Sequence, residues 1–395
     1  YNIVRVDFGK DYDTDDANNN KYKRASKELN RWLSEGVMKI APAPAYYLYV
    51  QEYEIEGQKK KMRGIFGNVK VVNHGDGVYP HEMTQKKAKE DRLNLLNECK
   101  ANTSPIFSLY RNTDTQFKQI LDNTEKTPPY YEFTWQGIGH KFWIIDKAED
   151  VVVLRTGLKG VDVFIADGHH RYETSLEYQK KIKRDASLSD RLSDRLSDRP
   201  SDRPSDRPSD RPSDRPSDSI DGINPDYVMM YLVNTDDGGL TVLPTHRLLH
   251  GLPKDPIGQL TEYFDTEHVD STVNIKQALE NKKHAFGLYI NGREGFYILQ
   301  YKGHVTGLEE IDVFILHELL LNKLYQINDF AYEMDMAKSI GLVNDGKFEA
   351  AIFLNPTNIS DVERIAKSGR RMPPKSTYFY PKIPTGLVIN CLFST

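Results

Sequence analysis

Apolar residues first recur at helical spacing over residues 20–36, where Ala25, Leu29, Trp32 and Leu33 share one face and Gly36 supplies a stop, which predicts a helix. The period then shortens. Residues 45–53 and 62–69 are rich in aromatic and branched side chains and flank a polar, glycine-containing turn, the pattern of a β-hairpin. Residues 86–100 return to helix, with Leu93, Leu95 and Leu96 as apolar positions. Strands are predicted at 104–110, 141–145, 161–166, 227–233 and 350–354, with a polar stretch to about Thr127 and helices at 173–184 and 312–324. Strand and helix interleave throughout, so the expected class is α+β, a mixed α/β fold.

From residue 187 to 219 the chain repeats Ser-Asp-Arg followed by Leu or Pro. Balanced charge, recurrent proline and few core-forming residues predict a disordered insertion. Residues 3–6 read as a strand already under way and residue 1 is Tyr, so the chain is expected to be truncated at its start. The divisions drawn from these patterns are an N-terminal α/β segment (1–70), a core (71–186), the repeat (187–219) and a C-terminal α/β part (220–395).

With 38% hydrophobic and 28% charged residues over 395 positions, the composition is that of an ordinary globular protein. A net charge of −4 gives no basic footprint, so nucleic acid is not an expected partner. No apolar run reaches the roughly 18 residues of a membrane span, and no signal-peptide layout is present. Cys99 and Cys391 stand too far apart in sequence to argue a disulfide framework or a zinc motif, and a cytoplasmic location is expected.

The densest polar cluster is Asp167-Gly168-His169-His170-Arg171, directly after an apolar strand and at the start of a helix. Glycine permits close backbone approach, the helix start offers free N–H groups, and His and Arg add donors and charge; together these suit a phosphate. A helix merely capped by Asp167 is the plainer reading, but it leaves the histidines and Arg171 unexplained. Zinc is disfavoured because adjacent histidines diverge and no third ligand stands at a suitable spacing, so no metal ligand is assigned. In Tyr79-Pro80-His81-Glu82-Met83-Thr84, Glu82 is the best general-base candidate, with a carboxylate serving the helix dipole as the alternative. His-Glu-x-x-His is absent here and at His317-Glu318. Thr245-His246-Arg247, after an apolar strand, suits a carboxylate or phosphate, against a plain surface strand end. Residues 341–347 match phosphate-loop spacing, but Phe348 stands where Ser or Thr should hold magnesium and no apolar strand precedes them, so a turn is expected.

Several segments together resemble the family catalogued as domain of unknown function 1015: Pro80-His81-Glu82-Met83-Thr84, Lys89-Glu90-Asp91-Arg92, Asn102-Thr103-Ser104-Pro105-Ile106-Phe107, Ala166 through Thr174, Leu243 through Arg247, and Met372 through Lys382. The order Pro80-His81-Glu82, a helix through Arg92, Pro105-Ile106 and then Asp167 to Arg171 is similar to that of free serine kinases of the ParB and sulfiredoxin type. The inserted segment 111–161 is longer than in that pattern.

The resemblance implies a ParB/sulfiredoxin-like core embedded in a larger mixed-sheet protein, and a kinase acting on free L-serine to give O-phosphoserine. It assigns Glu82 to deprotonation of the hydroxyl, and Asp167, Gly168, His169, His170 and Arg171 to the nucleotide phosphates, with His170 also catalytic. On physical grounds, phosphoryl transfer calls for Mg2+ with ATP or ADP as donor, Asp167 is a candidate metal or ribose contact, and Thr245, His246 and Arg247 are candidates to bind the amino acid's carboxylate. Two other readings remain at this point: a ParB-like nucleotide-binding switch without transfer, and a metal-dependent hydrolase using the histidine pair.

Overall fold

The structure is a computed structural model that describes residues 1–197, 223–270, 274–304 and 310–393. The chain divides into two compact units, residues 1–78, 84–237 and 383–395 forming the first and residues 79–83 and 238–382 the second.

The first unit begins with α1 (Val4–Asp7) and α2 (Lys21–Ser34), followed by β1 (Tyr46–Ile55) and β2 (Gln58–Lys70). The hairpin expected from the aromatic runs is present. Its two turn residues, Glu56 and Gly57, both take positive φ (53° and 74°), the twist that matches a two-residue β-turn. Then come β3 (Val78–Pro80, of which Val78 is assigned to this unit), α3 (Lys86–Cys99), β4 (Ala101–Asn102), β5 (Ile106–Tyr110), α4 (Thr115–Glu125), β6 (Tyr131–Trp135), β7 (Ile138–Ile145), α5 (Ala148–Leu158), β8 (Val163–Asp167), α6 (His169–Ser197) and β9 (Tyr227–Asn234).

The main sheet runs β3-β8-β5-β9-β2-β1-β7-β6. It is mixed: β5 and β9 are parallel, whereas β5 and β8, β2 and β9, and the β1, β2, β6 and β7 pairs are antiparallel. Period-two alternation gives it two different faces. Leu48, Val50, Ile65, Trp143, Met230 and Leu232 pack with Phe117 and Leu121 of α4, Leu154 of α5 and Tyr172 of α6, so three helices cover that side. The opposite face is aromatic, with Tyr49, Phe66 and Tyr231 in mutual ring contact. A separate cluster of Val6, Ala25, Leu29, Trp32, Leu95 and Cys99 joins α1, α2 and α3.

The second unit contains β10 (Thr241–Leu243), β11 (His246–Leu249), β12 (Phe264–Val269), α7 (Ile275–Leu279), β13 (Ala285–Ile290), β14 (Phe296–Tyr301), α8 (Asp312–Phe314), a π-helix (Ile315–Tyr325), β15 (Phe330–Glu333), α9 (Met336–Asn344), β16 (Ala350–Phe353), α10 (Ile359–Lys367) and β17 (Tyr378–Tyr380). Its sheet runs β12-β14-β13-β16-β11-β15, and β10 pairs with β17.

Four expectations are corrected. Residues 3–6 are not a strand: Val4–Asp7 is a helical turn whose Val6 is buried among Ala25, Leu29 and Trp32, a tertiary demand that overrides β-branched propensity. The polar stretch before Thr127 contains α4, capped by the Asp114 carboxylate on the N–H groups of Gln116 and Phe117. The repeat is helical as far as Ser197, and in sequence proline enters only at Pro200; residues 198–222 lie outside the described residues. Finally, the divisions at 70 and 186 do not separate units: β2 lies inside the main sheet, and His81 and Glu82 belong with the second unit because Met372 N–H donates to the His81 carbonyl. Residues 341–347 form the end of α9 and the turn after it.

Candidate active site

The sequence-expected residues divide between the two units, and each group has its own geometry. In the first unit, β8 delivers Val163, Phe164, Ile165 and Ala166 into the core and brings Asp167 to its end, half-exposed. Gly168 then turns the chain at φ +96°, a conformation side chains rarely adopt. A Cβ at this position would lie 2.9 Å from the Arg171 guanidinium, which folds back beneath the glycine. The helix α6 opens immediately afterwards at His169, so the positive end of its dipole sits at the strand end.

The rest of the turn is held by specific bonds. Arg171 donates through Nη1 to the Pro105 carbonyl, and its Nη2 stands 4.0 Å from Asp167 Oδ1. Burial pulls its pKa down, although Asp167 opposes the shift. His169 is buried, whereas His170 is half-buried and accepts the Gln85 backbone N–H on Nε2 at 2.8 Å. Burial is also the main cause holding His170 below the ordinary histidine pKa. Glu173, one turn further on, accepts from the Thr84 hydroxyl at 2.7 Å and pairs with Lys89 at 3.0 Å. Burial works against its charge, but these two partners outweigh it and leave its pKa lowered.

Behind the turn lies a cavity of about 30 Å³, lined by Asp7, Arg92, Thr103, Ser104, Arg171 and Ser175 among others. Asp7 Oδ1 accepts from Thr103 at 2.6 Å and pairs with Arg92 Nη1 at 3.2 Å. Arg92 and residues 102–104 therefore line the same cavity as Arg171, and the Pro105 carbonyl takes its Nη1 bond. Sequence reasoning assigned no role to Asp7, because residues 3–6 read as a strand and gave no reason to single it out.

In the second unit, Glu82 bridges Met372, and His81 Nε2 lies 3.0 Å from the Thr377 hydroxyl. Strand β11 carries His246 and Arg247 between β15 and β16. Arg247 is fully buried, and its guanidinium lies 4.7 Å from the Tyr332 ring centroid. Its Nε and Nη2 donate to His317 Nε2 at 3.2 and 3.0 Å, and its Nη1 donates to the Thr245 carbonyl. None of these acceptors is a carboxylate. Burial pulls Arg247 down to about 10, and burial followed by the Arg247 charge pulls His317 down to about 3 and His246 to about 4. Thr245 Oγ1 and His246 Nδ1 are buried without a hydrogen-bond partner among the described residues. Two buried polar atoms with unmet hydrogen bonds thus stand on successive residues, next to a buried cation that has no carboxylate partner among its hydrogen-bond acceptors.

Tyr332 links this cluster to Glu82. Burial raises its pKa first of all, Arg247 lowers it and the Glu82 charge raises it, so both groups act on one phenol. Lys375 lies 4.7 Å from the same ring, and the Tyr332 hydroxyl donates to Pro374. Tyr332 and His317 were not legible as site residues: Tyr332 lies in no recognisable motif, and His317 was considered only as half of an incomplete zinc motif. Among the described residues no group of three or more His, Cys, Asp or Glu side chains converges as a metal site. No described helix is long and apolar enough to cross a membrane.

No curated protein matches the chain. Among solved structures, a free serine kinase in complex with AMP is similar at 13% identity and TM-score 0.40, over 84% of this chain and 91% of that one. A conserved hypothetical protein from Pyrococcus furiosus is 15% identical, with TM-score 0.39 and 84% and 97% of the two chains covered. SbnI with C-terminal truncation, from Staphylococcus aureus, is 10% identical, with TM-score 0.39 and coverage of 82% and 87%. The sequence model described as "Protein of unknown function (DUF1015)" matches residues 1–316, most of the 395-residue chain, and the protein therefore belongs to that family.

Proposed function

We propose that this chain is a small-molecule kinase that transfers a phosphoryl group from ATP or ADP to the hydroxyl of free L-serine, giving O-phosphoserine. The observation that carries the reading is the Asp167–Arg171 turn. A buried strand ends in a left-handed glycine, a helix N-terminus opens beside it, and a guanidinium and a neutral imidazole sit within the same five residues. Phosphoryl transfer needs mainly positioning and charge neutralisation, and these groups supply donors for a nucleotide's phosphates. His170 accepts on Nε2, so its Nδ1 carries the proton and is the ring's donor.

The acceptor side of the reading rests on the second unit. A free amino acid brings one carboxylate, and Arg247 is a buried cation whose hydrogen-bond acceptors are a histidine and a carbonyl. Thr245 and His246 add a hydroxyl and an imidazole with unmet hydrogen bonds. Glu82, half-buried and felt electrostatically at Tyr332, takes the serine hydroxyl proton as the oxygen attacks the terminal phosphorus. The bond to the bridging oxygen breaks, and ADP or AMP leaves. In sequence Glu82 precedes Gln85, the donor to His170, by three residues.

The half-exposed Asp167 carboxylate at the turn fits a hard cation that arrives with nucleotide phosphates. Mg2+ held there would neutralise phosphate charge. The test is incubation with Mg2+, L-serine and either ATP or ADP, with the products read by mass spectrometry. O-phosphoserine with one donor is expected, and its absence with both counts against the proposal.

A further inference from the structure

The hairpin of β6 and β7 lies within the 111–161 segment that the kinase reading leaves without a role. Strand β6 is the edge of the main sheet among the described residues, and all five of its residues are exposed. Tyr131, Phe133 and Trp135 alternate along it and so share one face, at 58%, 39% and 52% exposure. They continue the aromatic face of the sheet outward: Phe133 stacks on His140 at 4.6 Å, and Tyr131 meets Phe142 at 6.3 Å. Phe142 in turn stacks on Tyr47 at 5.5 Å.

An edge strand of this kind invites another strand. Soluble proteins usually blunt such edges with lysine, proline, a bulge or a covering element. Here residues 131–135 contain no lysine, proline or glycine, and they pair with β7 without a break in register. The one charge, Glu132, points to the other face, 3.7 Å from Lys141.

We propose that β6 is a self-association edge, with two copies of this chain pairing their β6 strands antiparallel about a two-fold axis at Phe133. The sequence itself selects that occupant and that register. In an antiparallel pair, opposed residues share a face, so a two-fold axis must fall on a residue position. Centred on Phe133, the pairing sets Tyr131 opposite the second copy's Trp135 and Phe133 opposite Phe133, an unbroken aromatic ladder, with Glu132 opposite Thr134. Centred on Glu132, it would oppose two like charges. Centred on Thr134, it leaves Tyr131 without a strand partner. The favoured register is the one that uses all five residues and places no like charges opposite each other.

Light scattering on the eluting full chain tests this directly. Twice the 45.4 kDa chain mass is expected, falling to a single chain mass in Phe133→Lys. A single-chain mass for the wild type at high micromolar concentration, or a dimer untouched by a folded Phe133→Lys, overturns the proposal. Cysteine cross-linking in a Cys391→Ser background tests the register even if that variant fails to fold. Opposed Cα atoms in such a pair lie about 4.5–5.5 Å apart, within disulfide reach. Phe133→Cys should form a disulfide-linked dimer on mild oxidation and Glu132→Cys should not. Equal or reversed yields, or no cross-link in Phe133→Cys, contradict the pairing.

Discussion

The backbone N–H of Gln85 donates to Nε2 of His170 at 2.8 Å, tying the entrance of α3 to the first turn of α6. That bond exists only while Nε2 keeps its lone pair, so protonating His170 costs the contact as well as the burial energy that already lowers its pKa.

A pH dependence follows, with a definite sign. A histidine whose folded pKa lies below its unfolded value of about 6.5 contributes stability that is complete above that value and lost as pH falls toward the folded one. His246 and His317, pulled down to about 4 and about 3, act in the same direction. The thermal midpoint should fall between pH 7 and pH 5, and less steeply in His170→Gln than in the wild type. Parallel curves for the two proteins would show that the Gln85 contact is not linked to protonation.

Gly168→Ala should be costly out of proportion to one methyl group. At φ +96° the new Cβ is strained, at about 1–2 kcal/mol, and it meets the Arg171 guanidinium at 2.9 Å, pushing that side chain off its Pro105 contact. Urea unfolding should register the strain, and an ADP titration should weaken. Unchanged ADP affinity would separate this turn from nucleotide binding.

Arg247→Lys keeps the charge but loses the fork that reaches His317 and Thr245. On the proposed reading, KM for L-serine rises about tenfold or more, the scale of a lost charge-assisted hydrogen bond, while ADP affinity stays within error. Steady-state kinetics and a nucleotide titration on the same preparation distinguish this from a general folding defect, which would lower both.

Much of this arrangement was legible in the sequence, for identifiable reasons. Apolar residues at helical spacing and Gly36 as a stop mark α2, the aromatic runs mark β1 and β2, and an apolar strand ending in Asp167-Gly168 places a turn there. Each is a local signal. What escaped is non-local: Val6 becomes helical because of the residues it packs against, and Asp7 is buried only because Arg92 and Thr103 meet it. Tyr332 meets Arg247 through strand pairing and feels Glu82 electrostatically across separations of 85 and 250 residues, which no spacing rule encodes. The repeat was expected to be disordered throughout because the prolines further along dominated its composition, whereas the helix runs to Ser197.

The proposed roles of the Asp167–Arg171 turn and of Glu82 can be tested together. Phosphorus NMR can follow O-phosphoserine formation from L-serine, Mg2+ and ATP or ADP, comparing the wild type with Glu82→Gln. Product is expected from the wild type and a rate lower by about 10²–10⁴ in the variant, with ADP still bound by both proteins. No product from the wild type with either donor, or a Glu82→Gln variant that turns over at the wild-type rate, would contradict it.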